Sequence, residues 1–339
     1  MAISQFFNAL DEVLNKPQRV TVVTHVNPDG DAIGSSLAFS QLLRKLGHQV
    51  EVLVSNDFPD FLAWMPGASN IHIYDKEKEA CDQILVNSDC IAFLDFNNLS
   101  RAGLIQNQLK SMGTKKILID HHRDPNLDYF ACALSDTQVS STSELVAETI
   151  LHYGEQYLDD SIATNILVGI ITDTGSFAHS VFHSRTFSIS ALLIEHSASY
   201  NLIHQLIYDT FSEDRLRLLG YAISNKMEVL DEYATAIISL NKEELSRFNY
   251  QVGDTEGVVN YPLSMKKMVM SVLVTERQGV IRLSFRSKGN FSVHELAQKY
   301  FNGGGHTNAA GGTLTCSMEE ALRKLHQVLP EYREMLVKQ

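Results

Sequence analysis

R-V-T-V-V-T-H-V-N-P-D-G-D-A-I-G-S-S, residues 19 to 36, is the stretch from which the fold of this chain can be read. After Arg19 its first residues are β-branched, the composition of a buried strand. Asn27 to Gly30 is a turn-forming loop. From Ala32 to Leu46 apolar residues recur at helical spacing, through Ile33, Leu37, Leu42 and Leu46, and Gly47 supplies the stop. Gln49 to Val54 is a second strand pattern. Strand, loop, helix, strand makes one unit of a parallel sheet. Its loop lies at the carboxyl end of the first strand, the edge where open α/β sheets bind ligands. That loop carries His25, Asp29 and Asp31, residue types that ligate divalent metals. The same residues have a plainer reading, in which the aspartates cap the helix and His25 is a buried, hydrogen-bonded imidazole.

Upstream, Ser4 to Leu14 reads as an amphipathic helix. Downstream the pattern repeats, with Ile71 to Tyr74 as a short strand and Lys76 to Leu85 as a helix. The strand Cys90 to Leu94 runs into Asp95, and the strand Lys116 to Ile119 runs into Asp120-His121-His122. Ser141 to Tyr153 reads as a helix. Asp159 caps the next one, which ends on Asp173-Thr174-Gly175. Singly, each of these groups has an ordinary explanation: Asp95 as a turn residue, Asp173 as a polar helix end. Together, His25, Asp29, Asp31, Asp95, His121 and Asp173 form a set that one sheet edge can gather. Four carboxylates with two imidazoles suit Mn²⁺ or Mg²⁺ better than structural zinc, and two such ions balance four aspartates.

Beyond Phe187 the composition changes. Ile189 to Val229 reads as largely helical, without a strand pattern. Strands return at Ala234 to Leu240, Val269 to Thr275 and Val280 to Arg286. The last alternates Ile281, Leu283 and Phe285 against Arg282, Ser284 and Arg286. Ser292 and Glu295 have capping-box spacing for a helix over Val293 to Tyr300. Gly303-Gly304-Gly305-His306 follows, then a final helix over Met318 to Val337. The expected organisation is α/β in three parts: a catalytic domain over 1–187 with a mostly parallel sheet flanked by helices, a helical connector over 188–230, and a smaller α/β domain over 231–339.

Bulk properties narrow the function. The chain has 339 residues, 44% hydrophobic and 20% charged, with a formal net charge of -12. A protein that grips long duplex nucleic acid needs a basic face, so that partner is excluded. A short anionic substrate held through metal ions is compatible with an acidic chain. Cys81, Cys90, Cys132 and Cys316 form no Cys-x-x-Cys pair and read as free thiols in a reducing cytoplasm. No signal-peptide pattern is present at Met1 to Leu14, and no apolar run is long enough to span a membrane.

The motifs resemble those of the DHH phosphoesterase superfamily. H-V-N-P-D-G-D-A-I-G-S at 25–35, Asp95 in F-L-D-F-N-N, I-D-H-H at 119–122 and Asp173 in G-I-I-T-D-T-G stand in the family's order. G-G-G-H-T-N-A-A-G-G at 303–312 is similar to the signature of the DHH-associated C-terminal domain. The resemblance covers nearly the whole chain and points to the NrnA-like branch of nano-RNases and 3'-phosphoadenosine-5'-phosphate phosphatases.

That resemblance implies an active site in the cleft between domains and two divalent ions, Mn²⁺ first, with Mg²⁺ or Co²⁺ as alternatives. One ion would be held by His25, Asp29 and Asp95, the other by Asp31, Asp95, His121 and Asp173, and a water between them would attack phosphorus. It implies His122 beside the substrate phosphate, as hydrogen-bond donor or as acid to the leaving oxygen, and Asp120 orienting an imidazole. Arg101 would touch phosphate, with a solvated helix arginine as the alternative. Arg286, Gly303, Gly304, Gly305 and His306 would hold the rest of the substrate, a short oligoribonucleotide or a small nucleotide. For Arg286 a surface salt bridge is the ordinary reading. Pairing of two copies through the N-terminal domain is implied as well. A phosphodiesterase for cyclic di-AMP or linear pApA would share every ligand. An inorganic pyrophosphatase or exopolyphosphatase fits the glycine-rich motif less well, and a catalytically dead nucleotide sensor fits the complete ligand set less well.

Overall fold

The chain begins with helix α1 (Ile3–Val13) and strand β1 (Arg19–Val23), and helix α2 (Gly30–Lys45) carries it back to β2 (Gln49–Val54). β2 pairs parallel to β1, Val20 opposite Val50 and Val22 opposite Val52, so the strand–loop–helix–strand unit forms as the sequence predicts. The computed structural model describes residues 3–178, 183–277 and 279–337. It divides into two units, Met1–Thr210 and Phe211–Gln339.

In the first unit β3 (Ile71–Ile73), α3 (Lys78–Val86), β4 (Cys90–Leu94), α4 (Gln106–Ser111), β5 (Lys115–Asp120) and β6 (Cys132–Ser135) follow. Then come α5 (Thr142–Tyr153), α6 (Asp160–Thr174), α7 (Ser184–Glu195) and α8 (Tyr200–Tyr208). The sheet order is β3-β2-β1-β4-β5-β6 and every pairing is parallel. Strand order therefore reverses between β1 and β4, and the loops leaving their carboxyl ends diverge there, which opens a crevice. β6 is not expected from the sequence because C-A-L-S contains no β-branched or aromatic residue to mark it as a strand.

Helices cover both faces of the sheet. Val20, Val22, Val52, Ala92, Leu94, Ile117 and Ile119 pack toward α1, α2, α5 and α6. Val23, Leu53, Ile91, Phe93 and Leu118 pack on the other side with Cys81, Leu85 and Leu109. α2 is buried continuously from Gly30 to Ser40, between the sheet and α6. A Cβ on Gly30 would sit 2.4 Å from Thr172 Oγ1, and one on Gly34 would sit 2.4 Å from the Asn165 carbonyl. The two helices thus run antiparallel in close contact, which puts the start of α2 beside the end of α6.

The second unit contains α9 (Glu213–Asn225), β7 (Met227–Leu230), β8 (Thr235–Leu240), α10 (Lys242–Arg247), β9 (Met270–Arg277) and β10 (Val280–Ser287). α11 (Val293–Tyr300), β11 (Gly304–Gly305), β12 (Ala309–Leu314) and α12 (Met318–Val337) complete it. Its sheet has the order β11-β12-β10-β9-β8-β7, antiparallel except between β8 and β9. β10 buries Ile281, Leu283 and Phe285, as its alternation predicts. β7 is a correction, since Met227 to Leu230 lies within or against the stretch read as helical. It is a half-exposed edge strand, and an edge strand needs no clean apolar alternation. Of the helices in that stretch, α7 and α8 belong to the first unit and α9 to the second.

All four cysteines are free thiols; Cys81, Cys90 and Cys132 are buried and Cys316 is half-buried. Among the described residues no helix is long and apolar enough to cross a membrane.

Candidate metal and active site

The loop after β1 places its three polar residues in different ways. His25 is buried, and its Nδ1–H donates to the Val26 carbonyl at 3.0 Å, which turns Nε2 toward Asp95 Oδ2 at 3.3 Å. Asp29 is the N-cap of α2; its Oδ1 accepts from the N–H groups of Asp31 and Ala32, both at 3.1 Å. Capping engages Oδ1 alone, so it leaves the second oxygen of Asp29 open and is compatible with a ligand role. Asp31 stands in the first turn of α2 and is 1% exposed. Asn27 is left-handed (φ 54°), and its N–H donates to Asn56 Oδ1 at 2.7 Å, which pins the loop to the end of β2.

Asp95 lies at the centre. It follows β4 in a left-handed conformation (φ 65°), which an aspartate tolerates at a cost of about 1–3 kcal/mol. Its N–H donates to the Ile119 carbonyl at 3.1 Å, and its Oδ1 accepts from the Thr142 hydroxyl at 2.8 Å. His121 Nε2 lies 3.5 Å from Asp95 Oδ1, 3.8 Å from Asp31 Oδ2 and 3.8 Å from Asp173 Oδ2. Two sets of ligand-type atoms result, His25–Asp29–Asp95 and Asp31–Asp95–His121, each within 4.8 Å and both including Asp95. Asp173, in the last turn of α6, reaches the second set through His121. Gly175 closes that helix in the left-handed conformation (φ 55°).

Asp95, Asp120 and His122 form a further close set, but hydrogen bonding accounts for it. His122 Nδ1–H donates to Asp120 Oδ1 at 2.8 Å and the His122 backbone N–H donates to Asp120 Oδ2 at 3.0 Å. Nδ1 is committed, so contact of this ring with a substrate falls to Nε2. Arg101 is half-buried in the 3₁₀ turn after β4, and its charge acts on His25, Asp120 and His121.

The electrostatics are those of crowded, dry carboxylates. Burial and the neighbouring charges of Asp95 and Asp173 push the Asp31 carboxyl well above its ordinary range, against a hydrogen bond from Ser143. Burial would raise Asp95 too, but the hydrogen bond to His25 and the flanking imidazoles hold it well below. Burial lifts Asp120 to about 7. Asp31, Asp95 and His121 are almost wholly inaccessible to water, so like charges repel with little screening. Divalent cations are the counter-charge that such a donor set fits: oxygen-rich, with imidazole nitrogens and a shared carboxylate.

In the second unit Arg286 on β10 lies opposite Ala309 of β12, next to the turn that His306 opens. Gly303 and Gly305 serve close packing. A Cβ on Gly303 would sit 1.9 Å from the Gly311 carbonyl, and one on Gly305 would sit 2.5 Å from that of Ala309. The Gly303 N–H already donates to Ala297 O at 3.2 Å, and the Gly305 N–H donates to His294 Nδ1 at 3.1 Å. Both N–H groups therefore have acceptors within this unit. Asn308 spans the turn, donating to Ser287 Oγ and the Gly289 carbonyl.

The first unit matches the DHH family, N-terminal domain, over residues 19–170, and the second matches the DHHA1 domain over residues 232–332. The chain belongs to the DHH family of phosphoesterases. It is 28% identical over 293 residues to the probable bifunctional oligoribonuclease and PAP phosphatase NrnA of Streptococcus mutans, covering 86% of this chain and 88% of that one. It is 25% identical to the cyclic-di-AMP phosphodiesterase GdpP of Geobacillus thermodenitrificans, over 96% of this chain but 49% of that longer protein. Among solved structures, an exopolyphosphatase-related protein from Bacteroides fragilis superposes with a TM-score of 0.90 at 38% identity, covering 98% of both chains.

In this DHH-family chain three supporting residues are missing from the sequence reading. Thr142 and Ser143, at the start of α5, donate backbone N–H groups to Asp31 at 2.7 and 2.8 Å. Asn97 donates to the carbonyls of His122 at 3.3 Å and Arg123 at 3.0 Å, holding the loop after β5. S-S-T-S at 140–143 reads as an ordinary helix start, and nothing in it names a partner so distant along the chain.

Proposed function

We propose that this protein is a Mn²⁺-dependent phosphoesterase that hydrolyses short oligoribonucleotides, 3'-phosphoadenosine 5'-phosphate, or both. The observation that carries the reading is the pair of donor sets that share Asp95 at the switch point of a parallel sheet. Two divalent ions bound there would lower the pKa of a water and stabilise charge on the phosphoryl oxygens. His25, Asp29 and Asp95 would hold one; Asp31, Asp95, His121 and Asp173 would hold the other.

The chain's own groups do the rest. Asp120 fixes the His122 tautomer with the proton on Nδ1, so Nε2 is the atom available to hydrogen-bond the phosphate or, when protonated, to hand a proton to the leaving oxygen. Arg101 adds positive charge on the same side of the sheet. Arg286 and His306 of the DHHA1 domain are the side chains proposed to hold the remainder of the substrate, with Gly303, Gly304 and Gly305 shaping the strand beside them. An acidic chain suits short substrates, since a long strand needs an extended basic groove. The free thiols suit a reducing compartment, which supports a cytoplasmic enzyme.

Cleavage of cyclic di-AMP or pApA is the second reading, favoured by the match to GdpP over nearly all of this chain. A Mn²⁺-dependent rate comparison on labelled short RNAs, 3'-phosphoadenosine 5'-phosphate, pApA and cyclic di-AMP separates the two. Preference for cyclic di-AMP would replace the first reading. Rapid phosphate release from pyrophosphate or polyphosphate, without action on dinucleotides, would overturn both. Sedimentation at several concentrations tests the pairing of copies.

A further inference from the structure

Thr142 touches both carboxylates of one donor set. Its N–H donates to Asp31 Oδ2 at 2.7 Å and its hydroxyl donates to Asp95 Oδ1 at 2.8 Å. The next N–H, of Ser143, donates to the other Asp31 oxygen at 2.8 Å. The start of α5 therefore grips Asp31 by both oxygens, using N–H groups that no turn of the helix can satisfy, at the end of the helix where negative charge is favoured. Thr142 itself is wholly buried.

The helix start is anchored from behind. Ser141 caps α5, accepting from the Glu144 N–H at 3.1 Å. The Glu144 Oε2 accepts from the Ser140 N–H at 3.0 Å, the Ser140 hydroxyl at 2.5 Å and the Thr186 hydroxyl of α7 at 2.9 Å. On the opposite side Gly169 of α6 leaves room for this grip, since a Cβ there would meet Ser143 Oγ at 1.9 Å and Asp31 Oδ1 at 2.8 Å. The start of α2, the residue that follows β4, and α6 thus meet at one threonine and its neighbour at the start of α5.

We propose that Thr142 is a positioning residue that sets the separation and orientation of Asp31 and Asp95, and so the affinity of the Asp31–Asp95–His121 set for a divalent cation. This rests on the metal reading given above. When both are ionised, Asp31 and Asp95 repel each other in a dry site; the Thr142 N–H and hydroxyl bridge them at one spacing. Outer partners of this kind are worth about 10–100-fold in metal affinity.

The test is Mn²⁺ titration of metal-stripped protein, followed by electron paramagnetic resonance. Thr142→Val keeps the shape and the N–H but loses the hydroxyl, and it is expected to weaken one of two Mn²⁺ sites by about 10–100-fold. Thr142→Ser, which restores the hydroxyl, is expected to restore that affinity. Thermal melting of the metal-free variants checks folding, and Thr142→Ala replaces the valine variant if the latter does not fold. Unchanged affinity in the variant lacking the hydroxyl overturns the proposal, as does equal weakening in the serine variant. Absence of a second Mn²⁺ in the wild-type protein overturns the two-ion reading itself, and this proposal with it.

Discussion

Asp120 receives two hydrogen bonds from His122, one from the backbone N–H to Oδ2 at 3.0 Å and one from ring Nδ1 to Oδ1 at 2.8 Å. A buried carboxylate thus locks the imidazole of the adjoining loop by its main chain and its side chain together. His122→Ala is expected to lower kcat by about 10²–10⁴-fold, the range for removing a general acid or an equivalent donor. Mn²⁺ affinity should hold, because neither shared donor set uses this ring. A loss of metal equal to the loss of rate would instead make His122 a ligand.

Asp95→Ala removes the carboxylate common to both sets. Its effect on activity should exceed the roughly 100-fold upper range for loss of an outer partner, and bound metal should fall by more than one site. Elemental content after gel filtration, read beside activity, checks this. Full activity would be incompatible with a shared ligand.

Gly169→Ala inserts a methyl where α6 lies against Ser143 and Asp31. Overpacking of this kind costs about 1–3 kcal/mol, so denaturant unfolding should report a loss of that size. Mn²⁺ affinity should fall too, since the displaced groups are those that hold Asp31. Gly220→Ala, where an added Cβ meets nothing within 4 Å, serves as the control.

Arg19 and Asp89 clasp the amino edge of the first sheet. The Asp89 carboxylate accepts from the Arg19 N–H at 2.9 Å and from its guanidinium at 3.1 and 3.2 Å. These bonds hold the Asp89 carboxyl down at about 2, below its ordinary value. Its contribution to stability is therefore complete above the ordinary carboxyl pKa and disappears as pH falls through about 2. Asp89→Asn should be less stable than wild type at neutral pH, and the difference should shrink over that acid window. Acid titration of the two proteins by circular dichroism measures it; a constant difference at every pH would rule out the ionic contribution.

Much of this architecture is legible in the residues themselves. β-branched runs such as Val20 to Thr24 can be satisfied only as buried strands, and the helical spacing from Ile33 to Leu46 demands a covering helix. A strand's end is local information, so the polar groups at His25, Asp95 and His121 could be placed on one sheet edge before any contact was known. Glycine was harder to read. Gly303 and Gly305 lack side chains where the chain runs in close contact with Gly311 and Ala309, a fact that depends on residues across the hairpin.

The partnerships were not local. Thr142 and Asp31 are 111 positions apart, and no periodicity links a helix start to a carboxylate that far away. Whether Asp29 caps a helix or faces a metal set also had no answer along the chain, because one carboxylate can do both. Residue chemistry and spacing determined which groups line the edge of the sheet. The strand order 3-2-1-4-5-6 and the close antiparallel contact of α2 with α6 decided which of them meet. The physical reason is that strand ends follow from short-range pattern, whereas the distance between two carboxylates follows from long-range packing.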